Sequence, residues 1–283
     1  VSRDEIQLSS DITLAAPAEV DIDRRFGGLA RLYGPEGARR IRQASVMVVG
    51  IGGVGSWTAE ALARSGVGSL VLVDMDHVSE SNVNRQIHAL SSTLGMEKVT
   101  AMQERIQNIN PECEVRAIDE FVDAQNWSGL IDPSISAVVD ACDQMAAKFE
   151  MARWARHRDH RSTHFICVGA AGGKLHAHQV DIDDLARTTH DPLLAQLRAR
   201  LRRHAGAPRE GKRIGIPCVF SREAVATPNS SSFRQDDGSL NCHGYGSTVA
   251  VTATFGMVAA GWVLERLAAP VTRDQKAGPS VRL

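Results

Sequence analysis

The sequence lacks paired cysteines. Its five, Cys113, Cys142, Cys167, Cys218 and Cys242, form no CxxC pair. A thiolate zinc site usually needs short-spaced ligand pairs, so no zinc is expected. Few, oddly numbered thiols in 283 residues also exclude a disulfide framework. No secretory leader is expected either, because residues 1–23 mix acids with apolar residues. These absences point to a reduced, cytoplasmic protein. Long hydrophobic runs are scarce too. The best candidate, Val249–Leu264, has 16 uncharged residues. As a helix it reaches roughly 24 Å, short of a ~30 Å hydrocarbon core. A buried core or interface helix is expected there, and no membrane partner.

There is also little net charge. A formal charge of −1, with 43% hydrophobic and 23% charged residues, excludes disorder and names no partner. No internal repeat and no hard linker divides the chain. The expected organisation is a flexible or docking arm over 1–23, a single domain over 24–270 with a nucleotide-binding half (24–173) and a basic, dimer-forming half (174–270), and a tail over 271–283.

What is present is an alternation of strand and helix. Val46–Val49 and Ser69–Val73 read as buried parallel strands flanking a helix over Ser56–Arg64. Met96–Ile109 carries Val99, Met102, Ile106 and Ile109 on one helical face and stops before Pro111. Strands are expected at Val115–Ile118, Ala137–Asp140 and His164–Val168, and helices at Ala146–His157, Pro192–His204 and Thr248–Leu267. Arg24–Gly37 reads as an entry segment, and Ala205–Ile216 and Thr227–Gly246 as loops. The predicted class is α/β, a doubly wound, mainly parallel sheet of Rossmann-like type with an elaborated C-terminal part.

Gly50-Ile-Gly52-Gly53-Val-Gly55 fits G-x-G-x-x-G between a strand and a helix. Glycines there let backbone N–H groups approach phosphates at a helix N-terminus. Asp74 ends the next strand, where a carboxylate can accept from ribose hydroxyls. The fingerprint alone would suit NAD, and a dehydrogenase remains a distant alternative. Downstream residues favour ATP: Asn82 and Arg85 in a polar cluster, Lys98 in the first turn of the next helix, and Asp143 after a strand end. Arg85 and Lys98 can neutralise a triphosphate, and Asp143 can hold Mg²⁺.

A second constellation is electrostatic. Leu193–Arg213 contains Arg198, Arg200, Arg202, Arg203, Arg209, Lys212 and Arg213 against one acid, Glu210. Such a field suits a polyanion, although a solvated helix face is the usual origin of charge runs. Cys242 beside His243 reads as a loop cysteine rather than a nucleophile.

In combination, GIGGVGSW, VDMD, NVNRQIHAL, GMEK and DACD resemble the ubiquitin-activating-like adenylating family, which includes activators of sulfur carriers. The resemblance implies that the glycines and Asp74 hold ATP, that Arg85 and Lys98 contact phosphates, and that Asp143 binds the magnesium. It also implies a homodimer in which an N-terminal arginine, Arg25 or Arg31, reaches the neighbouring site. RFGGLARLYG, ERIQNINPEC, GAAGGK, DPLLAQLRARLR, CVFSREA and TVAVTATFG extend the similarity to the tRNA threonylcarbamoyladenosine dehydratases. The expected activity is then ATP-dependent cyclisation of that nucleoside through an acyl adenylate, with Arg85, Lys98 and Asp143 catalytic and tRNA held by the basic segment. Adenylation of a sulfur-carrier protein's C-terminus is the alternative, and a sulfur-transfer protein stays open as a partner.

Overall fold

The computed structural model describes residues 20–157, 162–209, 211–226 and 245–270. Most of the proposed arm, the proposed tail, and Cys242 with His243 lie outside the described residues.

Among the described residues there are seven strands, β1 (Ser45–Val49), β2 (Ser69–Val73), β3 (Glu114–Ile118), β4 (Ile135–Asp140), β5 (His164–Val168), β6 (Val180–Asp184) and β7 (Pro217–Ser221). They form one sheet in the order β3-β2-β1-β4-β5-β7-β6. Every pairing is parallel except β6 with β7. The helices are α1 (Ile22–Gln43), α2 (Gly55–Arg64), α3 (Lys98–Ile109), the single turn α4 (Trp127–Leu130), α5 (Met145–Ala155), α6 (Pro192–His204) and α7 (Val249–Ala268). The central strands are apolar at successive positions because both faces are covered. Val46, Val48, Leu70, Leu72 and Val139 face the layer of α1, α2, α3 and α7. Met47, Val49, Val71, Val73 and Val138 face α4, α5 and α6.

Two parts of the sequence reading are corrected. Arg24–Gly37 is helical, so the boundary drawn at residue 23 falls inside α1, whose N-cap is Asp21. Two glycines and Gly34-Pro35 disguise it: Gly34 (φ 74°) breaks the helix and Pro35 restarts it. Strands β6 and β7 were not expected. The carboxylates of VDIDD mask an edge strand, and its buried Asp184 accepts from the backbone N–H groups of Ile214 and Gly215. Ala205–Ile216, read as a loop, leads directly into β7.

The apolar run near the C-terminus is explained within the chain. Helix α7 lies along α2 and α1, burying Val251, Phe255, Ala259, Ala260 and Val263. Among the described residues no helix is long and apolar enough to cross a membrane. At the crossing with α2, a Cβ on Gly256 would stand 2.6 Å from the Val54 carbonyl and 2.8 Å from Trp57 Cβ. Thr58 Oγ1 donates to the Gly256 carbonyl at 3.3 Å. Gly256→Val should therefore push α7 off α2 and destabilise the protein by about 1–3 kcal/mol, as overpacking does. Chemical denaturation reads the change, and an unaltered midpoint would contradict the contact.

Candidate functional site

The crevice opens where β1 and β4 end side by side and their chains depart to opposite faces, β1 into α2 and β4 into α5. Ligands of open α/β sheets bind at such a point. Gly50 has φ 87°, and its N–H donates to the Val73 carbonyl at 2.8 Å. A Cβ there would stand 2.7 Å from the Cys142 nitrogen. At Gly55 it would stand 1.7 Å from the Gly50 carbonyl oxygen. These positions admit glycine alone, and the turn they make faces the N-terminus of α2.

Asp74 is bound into this turn. Its Oδ2 accepts from the Ile51 N–H at 2.6 Å and its Oδ1 from the Asp76 N–H at 2.9 Å. Burial pushes its carboxyl above the usual range, against Lys98 and the two backbone bonds, which lower it. Lys98, the first residue of α3, is 3% exposed. Its Nζ lies 2.6 Å from Asp76 Oδ2 and 3.9 Å from Asp74 Oδ1. Asp76 was missed by sequence reasoning, although VDMD displays it two residues beyond Asp74.

Arg85 reaches the glycine turn through its stem: a Cβ on Gly53 would sit 3.3 Å from Arg85 Cγ. Its guanidinium donates to the Ser81 carbonyl at 2.7 Å and to Asn84 Oδ1 at 2.9 Å. Trp57 on α2, also missed, donates through Nε1 to the Arg85 carbonyl at 2.9 Å and anchors this segment. Asn82 is buried, and its Oδ1 accepts from the Ser79 N–H in a capping box. That bond is local, so the position of Asn82 is explained by the turn. Asp143 reaches solvent at the crevice mouth. Desolvation by the walls still raises its carboxyl, Asp76 adds in the same direction, and Lys148 and Lys98 oppose. The structure thus gathers Gly50, Gly52, Gly53, Gly55, Asp74, Arg85, Lys98 and Asp143 about one crevice.

The basic segment is elsewhere. Asp191 caps α6 at the crevice edge, accepting from the Leu194 N–H and, through its other oxygen, from Ala170 N–H after β5. The helix then runs away over 13 residues, roughly 20 Å. Arg198 Nη1 donates to the carbonyls of Leu185 and Thr188 and to Thr188 Oγ1, so it holds the loop after β6. Arg202 donates to the Pro208 carbonyl. Arg200, Arg203, Arg209, Lys212 and Arg213 are exposed. Likewise, Arg25 donates to the Ile109 carbonyl of its own chain at 2.7 Å, and both Arg25 and Arg31 are exposed.

A cavity of ≈ 750 Å³ lies between α1, α2 and α3, away from the glycine turn, and is lined by Arg25, Phe26, Arg64, His88, Arg105 and neighbours. Residue chemistry, rather than cavity size, locates the site. His88 is 1% exposed, and among the described residues neither ring nitrogen has a hydrogen-bond partner.

The sequence profile of the ThiF family matches residues 26–277. The chain belongs to the ThiF family, and its α/β fold is the Rossmann-like sheet described above. A tRNA threonylcarbamoyladenosine dehydratase of Escherichia coli (strain K12) is 41% identical over 260 residues, 89% of this chain and 96% of that protein. The corresponding protein of Haemophilus influenzae is 40% identical over 247 residues, 87% and 94% of the two chains. The crystal structure of the E. coli dehydratase, TcdA, in complex with ATP has a TM-score of 0.79 and 40% identity, covering 90% of this chain and 97% of that one.

Burial, followed by the charges of Lys98 and Arg105, holds His88 neutral with its pKa lowered from 6.5 to about 4. Between these values the unfolded chain binds more protons than the folded one, so stability falls as pH drops through this window. The loss is on the order of 3 kcal/mol. His88→Leu should remove it and leave stability at pH 7 equal or higher, since two orphaned nitrogens disappear. Urea titrations from pH 4 to 7 decide it; parallel curves for both proteins would be the contrary result.

Proposed function

We propose that this chain is an ATP-dependent tRNA-modifying enzyme that dehydrates threonylcarbamoyladenosine to its cyclic form. The carrying observation is the convergence of Lys98, Arg85, Asp74 and Asp143 on a glycine turn that only backbone can fill. Similarity to dehydratases over almost the whole length of both proteins supports the choice of substrate.

In this reading Asp74 accepts from the ribose hydroxyls while keeping its backbone bonds, and the Gly50–Gly55 amides face the phosphates. Lys98 and Arg85 exchange part of their present hydrogen bonding for phosphate oxygens. Among the described residues no three His, Cys, Asp or Glu side chains cluster as a metal site. One carboxylate beside a phosphate-binding turn nevertheless suits Mg²⁺, which keeps water and phosphate oxygens as its other ligands. Asp143 would hold it, and the ion would supply charge neutralisation at the phosphates. The substrate's threonyl carboxylate attacks the α-phosphorus and pyrophosphate leaves. The nucleoside's ureido nitrogen then attacks the acyl carbon, loses its proton and expels AMP. The protein contributes orientation and fixed charge.

The exposed apolar residues Leu32, Val83, Leu90, Leu94, Val249 and Met257 support a homodimer. Arg25 and Arg31 are both exposed, and because Arg25 already bonds the Ile109 carbonyl, Arg31 is the better candidate for reaching a neighbouring site. A reduced, cytoplasmic setting fits the free thiols of Cys113, Cys142, Cys167 and Cys218.

Mass spectrometry of tRNA nucleosides after incubation with ATP tests the reaction: the modified adenosine should lose the mass of water. Asp143→Ala should slow this by on the order of 10²–10⁴ while leaving the fold intact. Undiminished product formation by that variant would remove Asp143 from the site.

The tRNA surface is tested separately. Arg200, Arg203, Lys212 and Arg213 changed together to Ala should weaken tRNA binding. They should also flatten its salt dependence, by about one unit of slope for each phosphate no longer neutralised. ATP affinity should be unchanged, because these residues lie away from the crevice. Superimposable salt series would return the segment to a solvated helix face.

A further inference from the structure

The floor of the crevice contains an ion pair that the chemistry above does not use. Asp140, the last residue of β4, and Lys148, on α5, both have 0% side-chain exposure. Lys148 Nζ lies 2.9 Å from Asp140 Oδ1 and 3.4 Å from the Asp140 carbonyl. The Cys142 thiol donates to Oδ1 at 3.1 Å and the Cys167 thiol to Oδ2 at 3.2 Å. The carboxylate is therefore bonded on both oxygens, by three side chains from three segments.

The pair spans the turn that carries Asp143. Residues 141–143 leave β4 at Asp140 and enter α5, and Lys148 ties that helix back to the strand end. On the other side the turn meets the glycine loop without slack. The Ala141 N–H donates to the Val49 carbonyl at 2.8 Å, and a Cβ on Gly50 would stand 2.8 Å from the Ala141 carbonyl carbon. A displaced turn would either collide with Gly50 or withdraw Asp143 from the phosphates.

Stability alone does not account for burying two charges here. Desolvation offsets most of their attraction, and apolar residues of similar volume often serve as well. We propose that the Asp140–Lys148 pair is a positioning device of the adenylation site. It clamps the Ala141–Asp143 turn against Gly50, so that the Asp143 carboxylate meets the phosphate-bound cation at a fixed place. The inference rests on the reading of Asp143 given above. Asp140 and Lys148 touch neither nucleotide nor substrate and act through the turn.

Lys148→Met alone strands a buried carboxylate and is expected to fold poorly, so the informative variant is Asp140→Asn with Lys148→Met, which removes both charges. It should melt close to wild type. Amide hydrogen exchange at residues 141–143 should nonetheless accelerate about tenfold or more, while exchange in β1 and β5 is unchanged. In tRNA-dependent ATP–pyrophosphate exchange, kcat should fall by on the order of 10², with the KM for ATP little altered. A folded double variant with wild-type amide exchange and wild-type kcat would overturn the proposal. Should the double variant not fold, Asp140→Asn with Lys148→Gln also removes both charges while leaving hydrogen-bonding groups at both positions, and the same two readings decide it. A wild-type protein without pyrophosphate exchange would instead overturn the adenylation reading, and amide exchange at the turn would still judge the pair.

Discussion

The nucleotide crevice depends on a backbone-to-backbone contact. Where β1 and β4 end, Gly50 lies so close to Ala141 and Cys142 that no side chain fits between them. Two loops leave this point for opposite faces of the sheet, and the space that opens between them is the crevice. The strand order around it, β2-β1-β4-β5, is what forces the divergence. Residues distant in sequence, from Asp74 to Asp143, gain a common address only because of this topology.

Buried charge recurs around the contact. Lys98 lies between Asp74 and Asp76, and Lys148 faces Asp140. Farther along α2 and α3, Glu60 takes Arg64 and Arg105 at 2.7 and 2.6 Å. Such pairs add little net stability but penalise alternative packings, because breaking one strands a charge in low dielectric. The first differs from the others in that its cation can be shared with an incoming anion.

Much of this was legible in the sequence, for identifiable reasons. Strands β1, β2, β4 and β5 were found because they are largely buried and mostly apolar, whereas the edge strand β3 was found from its alternating Val115, Ala117 and Ile118 after Pro111. The glycine turn, Asp74, Lys98 and Asp143 stand at element ends, where local grammar is strong. The edge strand β6 was hidden because its carboxylates serve backbone N–H groups, which composition reads as solvent exposure. Helix α1 was hidden by its glycines. Lys148 carried a faint signal, a lone cation beside Ala147, Met151 and Ala152 on a buried helical face. Arg198 misled in the opposite direction. It sits in a charge run yet is occupied by backbone carbonyls, a distinction that only the fold supplies.

The seating of α7 on α2 also bears on how the protein is made. Helix α2 opens directly from the glycine turn, and its outer face is closed by residues almost two hundred positions later in the chain. During synthesis the sheet and its nucleotide turn can assemble while that face still lacks its cover. Until α7 clears the ribosome, the face of α2 at Val54, Trp57 and Thr58 stays open to chaperones and proteases. The emergence of α7, rather than the arrival of nucleotide, therefore marks the moment at which α2 gains its cover.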